Sequence, residues 1–397
     1  MVDPAIVTTA TDVGRIVWMD RLRFALTVLV VAHHSADTYS TIADWYVDFG
    51  GRDPSATALS VVMLINQLFF MGVFFLLAGY FTPRAYDRRG PALYIRDRLV
   101  RLGIPLVAYI VVIRPLCLLP GGIVRAQQAA AAHQNFSLPG YLAFDGDPGV
   151  AWFLEVLLVF GLGYVALRLL RSIHPNRPAT DRSSAGSMRP TAAAPDGSPR
   201  SPRILGLGVV VVAVAALTFV WQWLVPLGTY WPFVGLPSPT FLPQYLVFFT
   251  VGALAARRGW LAAFPRWWAL PAMPAMLIGA ALFVASLGTR IDAAHLAASA
   301  EQAIGSALFA IGITVLLVVV FRTWLSGPAT RLTRFLSDQT FLVYLLHPLV
   351  LTWVAVAIMG LNWPSAAWAG LLFAIGAPMS WGAAWLLRRI RVVRRIV

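Results

Sequence analysis

Asp20, Arg23, Thr27, His34, Thr38 and Thr41 are polar groups set along one of the chain's apolar stretches, and their spacing is helical. At about 100° per residue they fall within about 60° of one another on a helical wheel, and His33 lies outside that stripe. His34 is therefore the histidine expected to face a polar interior. Eleven residues separate it from Arg23, roughly 16 Å of axial rise, which sets His34 near mid-membrane if Arg23 marks the inner interface. Asp37 and Thr38 follow His34 by three and four positions, the spacings at which helical side chains meet. Either one can hold the imidazole in the tautomer that a general base requires. A lone buried histidine more often packs against a neighbouring helix and bonds a carbonyl. A polar stripe running in from one end favours the reactive role, with His34 and Asp37 as the catalytic pair.

A second constellation is Tyr94-Ile-Arg-Asp-Arg-Leu-Val-Arg-Leu-Gly-Ile-Pro105. Arg98 and Arg101 are three apart and share a helical face, close to Arg96. Arginines at a membrane edge mostly hold topology, but planar guanidinium forks also suit phosphate oxygens. A phosphate-rich donor arriving from the cytosol is the matching ligand. Glu155 follows Trp152-Phe153 at the start of another apolar run and reads equally as an interfacial group or a site residue. Tyr344 and His347 are three apart in Tyr344-Leu-Leu-His347-Pro348, where bonding between helices is the simpler expectation. No metal-ligand spacing occurs, and the one cysteine, Cys117, excludes an internal disulfide.

The elements that must position these groups follow from composition. Of 397 residues, 59% are hydrophobic and 12% charged, about half the charged fraction of a soluble domain. The chain is read as a polytopic all-α membrane bundle. Its net charge of +14 comes from arginine alone, since lysine is absent; a soluble nucleic-acid binder would need a hydrophilic basic face that this composition lacks. With about 20 apolar residues per crossing, ten spans are expected near 24–42, 57–82, 102–119, 151–171, 204–225, 241–256, 267–288, 303–321, 341–360 and 365–387. Starting with the N-terminus inside, 27 of the 31 arginines fall on the cytoplasmic side; Arg52, Arg125 and Arg290 fall outside, and Arg114 lies within a span. Both termini are thus expected in the cytoplasm. No cleavable signal peptide is evident, because the first twenty-three residues carry Asp3, Asp12, Arg15, Asp20, Arg21 and Arg23 without an early apolar core or a small-residue cleavage site. Segment 172–203, rich in Pro, Ser and Arg, reads as a disordered cytoplasmic loop within one membrane domain spanning 1–397. The outer loop near 120–150 carries Asp145 and Asp147.

Asp20-Arg-Leu-Arg23 followed by an aliphatic run to His34 resembles the opening signature of the acyltransferase-3 family of membrane O-acyltransferases. Phe69-Phe-Met-Gly-Val-Phe-Phe-Leu-Leu-Ala78-Gly79-Tyr80 is similar to its second signature, with Ala78 where Ser commonly stands. Arg98-Leu-Val-Arg101 resembles its R-x-x-R motif. Trp152-Phe153-Leu154 and Phe335-Leu-Ser-Asp338 through Tyr344-Leu-Leu-His347-Pro348 fit later segments, so the resemblance covers about 15–350 in order. It implies transfer of an acyl group, often acetyl, from acyl-CoA as co-substrate, with no bound cofactor. The implied acceptor is a hydroxyl on a sugar, a glycolipid or a glycosylated small molecule, and the implied setting is the cytoplasmic (inner) cell membrane. By motif position His34 is the essential histidine, Arg23 its first-span partner, and Arg98 and Arg101 the donor pair; Glu155, Tyr344 and His347 join them as candidate substrate-binding residues.

The competing function is a transporter that uses His34, Asp37 and Arg23 for proton or solute coupling, since ionisable groups at membrane depth also mark such paths. A transporter more often shows paired halves with interrupted helices in matching places. No such internal symmetry is visible.

Overall fold

A computed structural model describes residues 16–173 and 202–396, apart from 43, 44, 48, 52, 144–146, 232, 233, 262, 293 and 360–363. The expected linker 172–203 lies, but for its edges, outside the described residues, as do Asp145 and Arg52. In chain order the α-helices are α1 (Val17–Asp37), α2 (Pro54–Gln67), α3 (Phe70–Arg98), α4 (Ile104–Ala108), α5 (Arg114–Ala131), α6 (Leu138–Leu142) and α7 (Trp152–Ile173). They continue with α8 (Ile204–Leu224), α9 (Leu242–Arg258), α10 (Ala269–Ser286), α11 (Leu296–Trp324), α12 (Arg331–Ile358), α13 (Ser365–Arg388) and α14 (Arg391–Ile396). Among the described residues there is no β-strand beyond one isolated bridge. The chain is an all-α multi-pass membrane bundle.

Among the described residues eight segments are long and apolar enough to cross a bilayer, and the first is the 78-residue stretch Pro54–Ala131. That stretch holds both the second and the third expected spans. Gly90 divides it, at φ 73° and followed by Pro91, a left-handed conformation that side-chain-bearing residues avoid. Helix α1 falls outside the eight because Asp20, Arg21 and Arg23 occupy its first turns, yet its 21 residues rise about 31 Å. Dividing the long stretch and adding α1 gives ten crossings. The expected second span began too early. The chain breaks at Phe69, and the 14-residue α2 is about 21 Å long, too short to cross.

Between α3 and α5 the helix widens into π-turns at Leu99–Gly103 and Tyr109–Ile113. Pro105 and Pro115 explain both. Each lacks the N–H its helical turn needs and crowds the carbonyl four residues back, and a wider turn relieves the clash.

Helices α3 and α9 cross closely. A Cβ built on Gly79 would lie 2.0 Å from the Phe249 carbonyl oxygen, and one on Gly252 would lie 2.1 Å from that of Leu76. Small residues of this kind let membrane helices pack backbone to backbone. Helix α1 sits between two apolar clusters. Met19, Leu22, Leu26 and Val30 join the cluster on the side of α3 and α11, whereas Val31 joins that of α12 and α13. Outward-facing Leu205, Val209, Val212, Val220 and Leu224 give α8 an apolar surface suited to lipid.

Ties between loops test the alternation. At the arginine-rich end, Arg21 donates to the carbonyls of Leu325 (2.7 Å) and Pro328 (2.9 Å), and Arg322 donates to that of Phe264. Asp87 lies 3.4 Å from Arg168 and 3.2 Å from Arg257. At the opposite end, Asp53 accepts from the Ser365 amide at 2.9 Å, and Gln222 donates to the Ser299 carbonyl at 2.6 Å. Each tie joins ends that ten crossings place on one face.

Candidate functional site

His34 occupies the last turn of α1, which stops at Asp37. It therefore stands near the end opposite the arginines rather than at mid-helix, seventeen residues or about 25 Å above the helix start. Its side chain is 18% exposed, and Nδ1 lies 3.7 Å from an Asp37 oxygen. That is a close electrostatic contact but longer than a hydrogen bond. The Thr38 hydroxyl donates back to the His34 carbonyl at 3.0 Å, so it does not orient the imidazole. Thr27 likewise turns its hydroxyl onto the Arg23 carbonyl, at 2.9 Å. Thr41 has left the helix and pairs with Ser60 at 2.7 Å. The polar stripe is thus shorter than the wheel implied. His33 is 7% exposed; its ring packs on Phe70, centroids 5.1 Å apart, and meets the His34 ring edge to face at 5.0 Å.

Two rings from distant parts of the chain cover His34. Trp45 stacks on it at 4.1 Å between centroids with planes 17° apart, and His347 of α12 stacks at 5.1 Å and 25°. His347 is fully buried, and its Nδ1 lies 2.8 Å from the Tyr344 carbonyl and 3.2 Å from that of Val343. Carbonyls only accept, so Nδ1 carries the proton and Nε2 is bare. Pro348 supplies the local reason. It has no N–H to give the Tyr344 carbonyl four residues back, and the His347 ring takes that place. Nε2 of His347 has no hydrogen-bond partner among the described residues, and neither has Nδ1 of His34.

Around this pair lies a polar wall drawn from several helices and from the loops that hold Tyr46 and Asp147. Tyr344 donates its hydroxyl to the Val150 carbonyl. Tyr46 and Tyr109 share a hydroxyl contact of 2.8 Å. Arg114, 4% exposed, lies 3.6 Å from Asp147, which also accepts from the Gly149 amide at 2.6 Å. Glu155, in the first turn of α7, is within electrostatic reach of Tyr344 and Asp147. Its Oε2 is buried without a hydrogen-bond partner among the described residues.

The remaining sequence candidates lie at the other end. Arg23 is 43% exposed and 3.9 Å from Asp20, three helical turns below His34 rather than beside it. Arg98 lies over the Tyr94 ring, 4.9 Å from its centroid, while Arg101 donates from Nε to Asp97 at 3.1 Å. The structure therefore brings together His34, Asp37, Tyr344, His347 and, at the wall, Glu155. It holds Arg23, Arg98 and Arg101 apart from them.

Trp45, Tyr46, Tyr109 and the Arg114–Asp147 pair were not singled out as site residues. Nothing in their spacing separates Trp45 from tryptophans of an interfacial belt. Arg114 did stand out as a charge inside a span, but its partner lies in a loop that only folding brings near. The arrangement offers two imidazoles with free ring nitrogens, one of them partly open, with an indole stacked over it. Such a cluster can take a proton from a hydroxyl or receive a transferred group.

A family described as an acyltransferase domain matches residues 16–385. No curated protein and no solved structure matches the chain.

Proposed function

Because the chain belongs to the acyltransferase-3 family, we propose that it moves an acyl group, of which acetyl is the leading case, from cytosolic acyl-CoA to a hydroxyl on a sugar-containing or lipid-linked acceptor. The observation that carries this reading is the position of His34, stacked with both Trp45 and His347 one turn from the end of α1 opposite the arginines. The arginine-rich end is the cytoplasmic one by the positive-inside rule. Donor phosphates then meet Arg98 and Arg101 there, and the acceptor hydroxyl reaches His34 from the other face. From Arg98 to Tyr109, at the level of the polar wall, is eleven residues or roughly 16 Å, a gap suited to the extended pantetheine arm.

His34 acts in one of two ways. As general base it takes the acceptor proton while the acceptor oxygen attacks the thioester carbonyl, and the departing thiolate is then protonated. As relay, a ring nitrogen first forms the acyl bond and the thiolate leaves; the acceptor oxygen then takes the acyl group, and its proton passes to the freed imidazole. The transport reading has no support beyond buried charge.

The test is to incubate detergent-purified protein with radiolabelled acetyl-CoA, with and without a panel of sugar and glycolipid acceptors. Label in an acceptor bears the reading out, and label on the protein without acceptor selects the relay. No transfer to any hydroxyl acceptor contradicts the reading.

A further inference from the structure

We propose that Arg168 completes, with Arg98, a cradle for the phosphates of the coenzyme A thioester. This rests on the acyl-CoA reading above and adds a residue that no motif marks. Tyr86 and Tyr94 of α3 meet edge to face with ring centroids 5.9 Å apart. Arg98 lies over Tyr94 at 4.9 Å, and Arg168 of α7 lies over Tyr86 at 5.2 Å. Two neighbouring rings thus carry two guanidiniums, one from each helix. A guanidinium seated over an aromatic ring is held in place, which preorganises it for forked recognition of phosphate. Nε of Arg98 is buried and has no hydrogen-bond partner among the described residues.

Charge at this mouth is unbalanced. Asp87 serves both Arg168, at 3.4 Å, and Arg257 of α9, at 3.2 Å. The Tyr164 hydroxyl accepts from the same two arginines, at 3.4 and 2.6 Å. Asp97 serves Arg89 and Arg101. With Arg98 that makes five guanidiniums to two carboxylates, drawn from α3, α7, α9 and the turn after α3. An ion-pair network built only for stability gains little from surplus like charge, which repels itself. A polyanionic ligand removes the surplus, and coenzyme A carries its phosphates at the end away from the thioester.

The experiment measures binding of acetyl-CoA and of phosphate-free acetyl-pantetheine to the purified full-length protein and to Arg168→Gln, at fixed ionic strength. The expected result is a loss of about tenfold or more in acetyl-CoA affinity, the scale of one charged hydrogen bond, with acetyl-pantetheine unchanged. Asp87→Asn serves as the second variant, because it breaks the same ion pairs while keeping every cation. The cradle predicts that it binds acetyl-CoA as well as or better than wild type. Equal loss of both thioesters in Arg168→Gln, or an Asp87→Asn variant as impaired as Arg168→Gln, overturns the cradle and makes Arg168 structural. Wild type that favours acetyl-CoA alongside an unimpaired Arg168→Gln overturns the cradle alone. Wild type that binds the two thioesters alike overturns the phosphate-bearing donor as well.

Discussion

His34 of α1 and His347 of α12 lie with their ring centroids 5.1 Å apart and their planes 25° from parallel. The second ring is fixed by its own helix, through the carbonyl that Pro348 leaves without an amide donor. Replacing Pro348 by Ala restores that amide, which competes with the imidazole for the Tyr344 oxygen. Transfer activity is expected to fall about tenfold, the scale of one hydrogen bond, while the melting temperature holds or rises because proline is a poor interior helix residue. Activity assays and thermal melts on one preparation check both parts.

Trp45 closes one face of His34 at 4.1 Å. Trp45→Phe keeps a stacked ring and is expected to retain most activity. Trp45→Ala opens the face and should lower kcat by up to about tenfold, since an aromatic pair contributes about 0.5–1.5 kcal/mol beyond its buried area. Steady-state kinetics of the two variants separates ring stacking from mere bulk.

At the α3–α9 crossing, Gly79→Ala sets a methyl against the Phe249 backbone, which cannot give way as a flexible side chain would. The expected cost is about 1–3 kcal/mol of overpacking, seen as a lower melting temperature and a poorer yield of folded protein. Ala78→Ser, restoring the hydroxyl more common beside this glycine, is expected to be well tolerated because Ala78 is not fully buried.

Asp53 ties the start of α2 to the start of α13. It accepts from the amides of Ser55 and Ser365, each at 2.9 Å, and from both serine hydroxyls. These bonds hold its carboxyl well below the usual range, those to Ser365 most strongly. A depressed acid contributes stability above its unfolded value near 3.9 and loses it as pH falls through the folded value. Wild-type melting temperature should therefore decline as pH drops below about 4. Asp53→Asn should be less stable at neutral pH and should lose that component of the decline. Melts across an acid pH series test the sign.

The helical class was legible in composition alone, and the ten crossings in arginine placement, because both depend on sums over many residues. Boundaries set by single backbone events were not. The break at Phe69 is one such event, and the end of α1 at Asp37, which puts His34 in the helix's last turn, is another. The wheel sets His34 and His33 on different faces, since a helical face depends only on spacing. It could not supply Trp45 or the Arg114–Asp147 pair, which loops bring in from elsewhere, nor show that Thr38 turns its hydroxyl to the backbone. Arg98 could be read from its motif, but Arg168 could not, because only packing sets Tyr86 beside Tyr94.

The central claim is that His34 carries the transfer. Its most direct test is acyl transfer by His34→Ala and His33→Ala, each purified and shown by thermal melt to be folded. The two side chains are adjacent in sequence, yet one faces Asp37, Trp45 and His347 and the other packs on Phe70. The account predicts that His34→Ala loses at least about a hundredfold, the low end of general acid–base contributions, while His33→Ala keeps most of its activity. Equal loss from two folded variants, or an active His34→Ala, would contradict it.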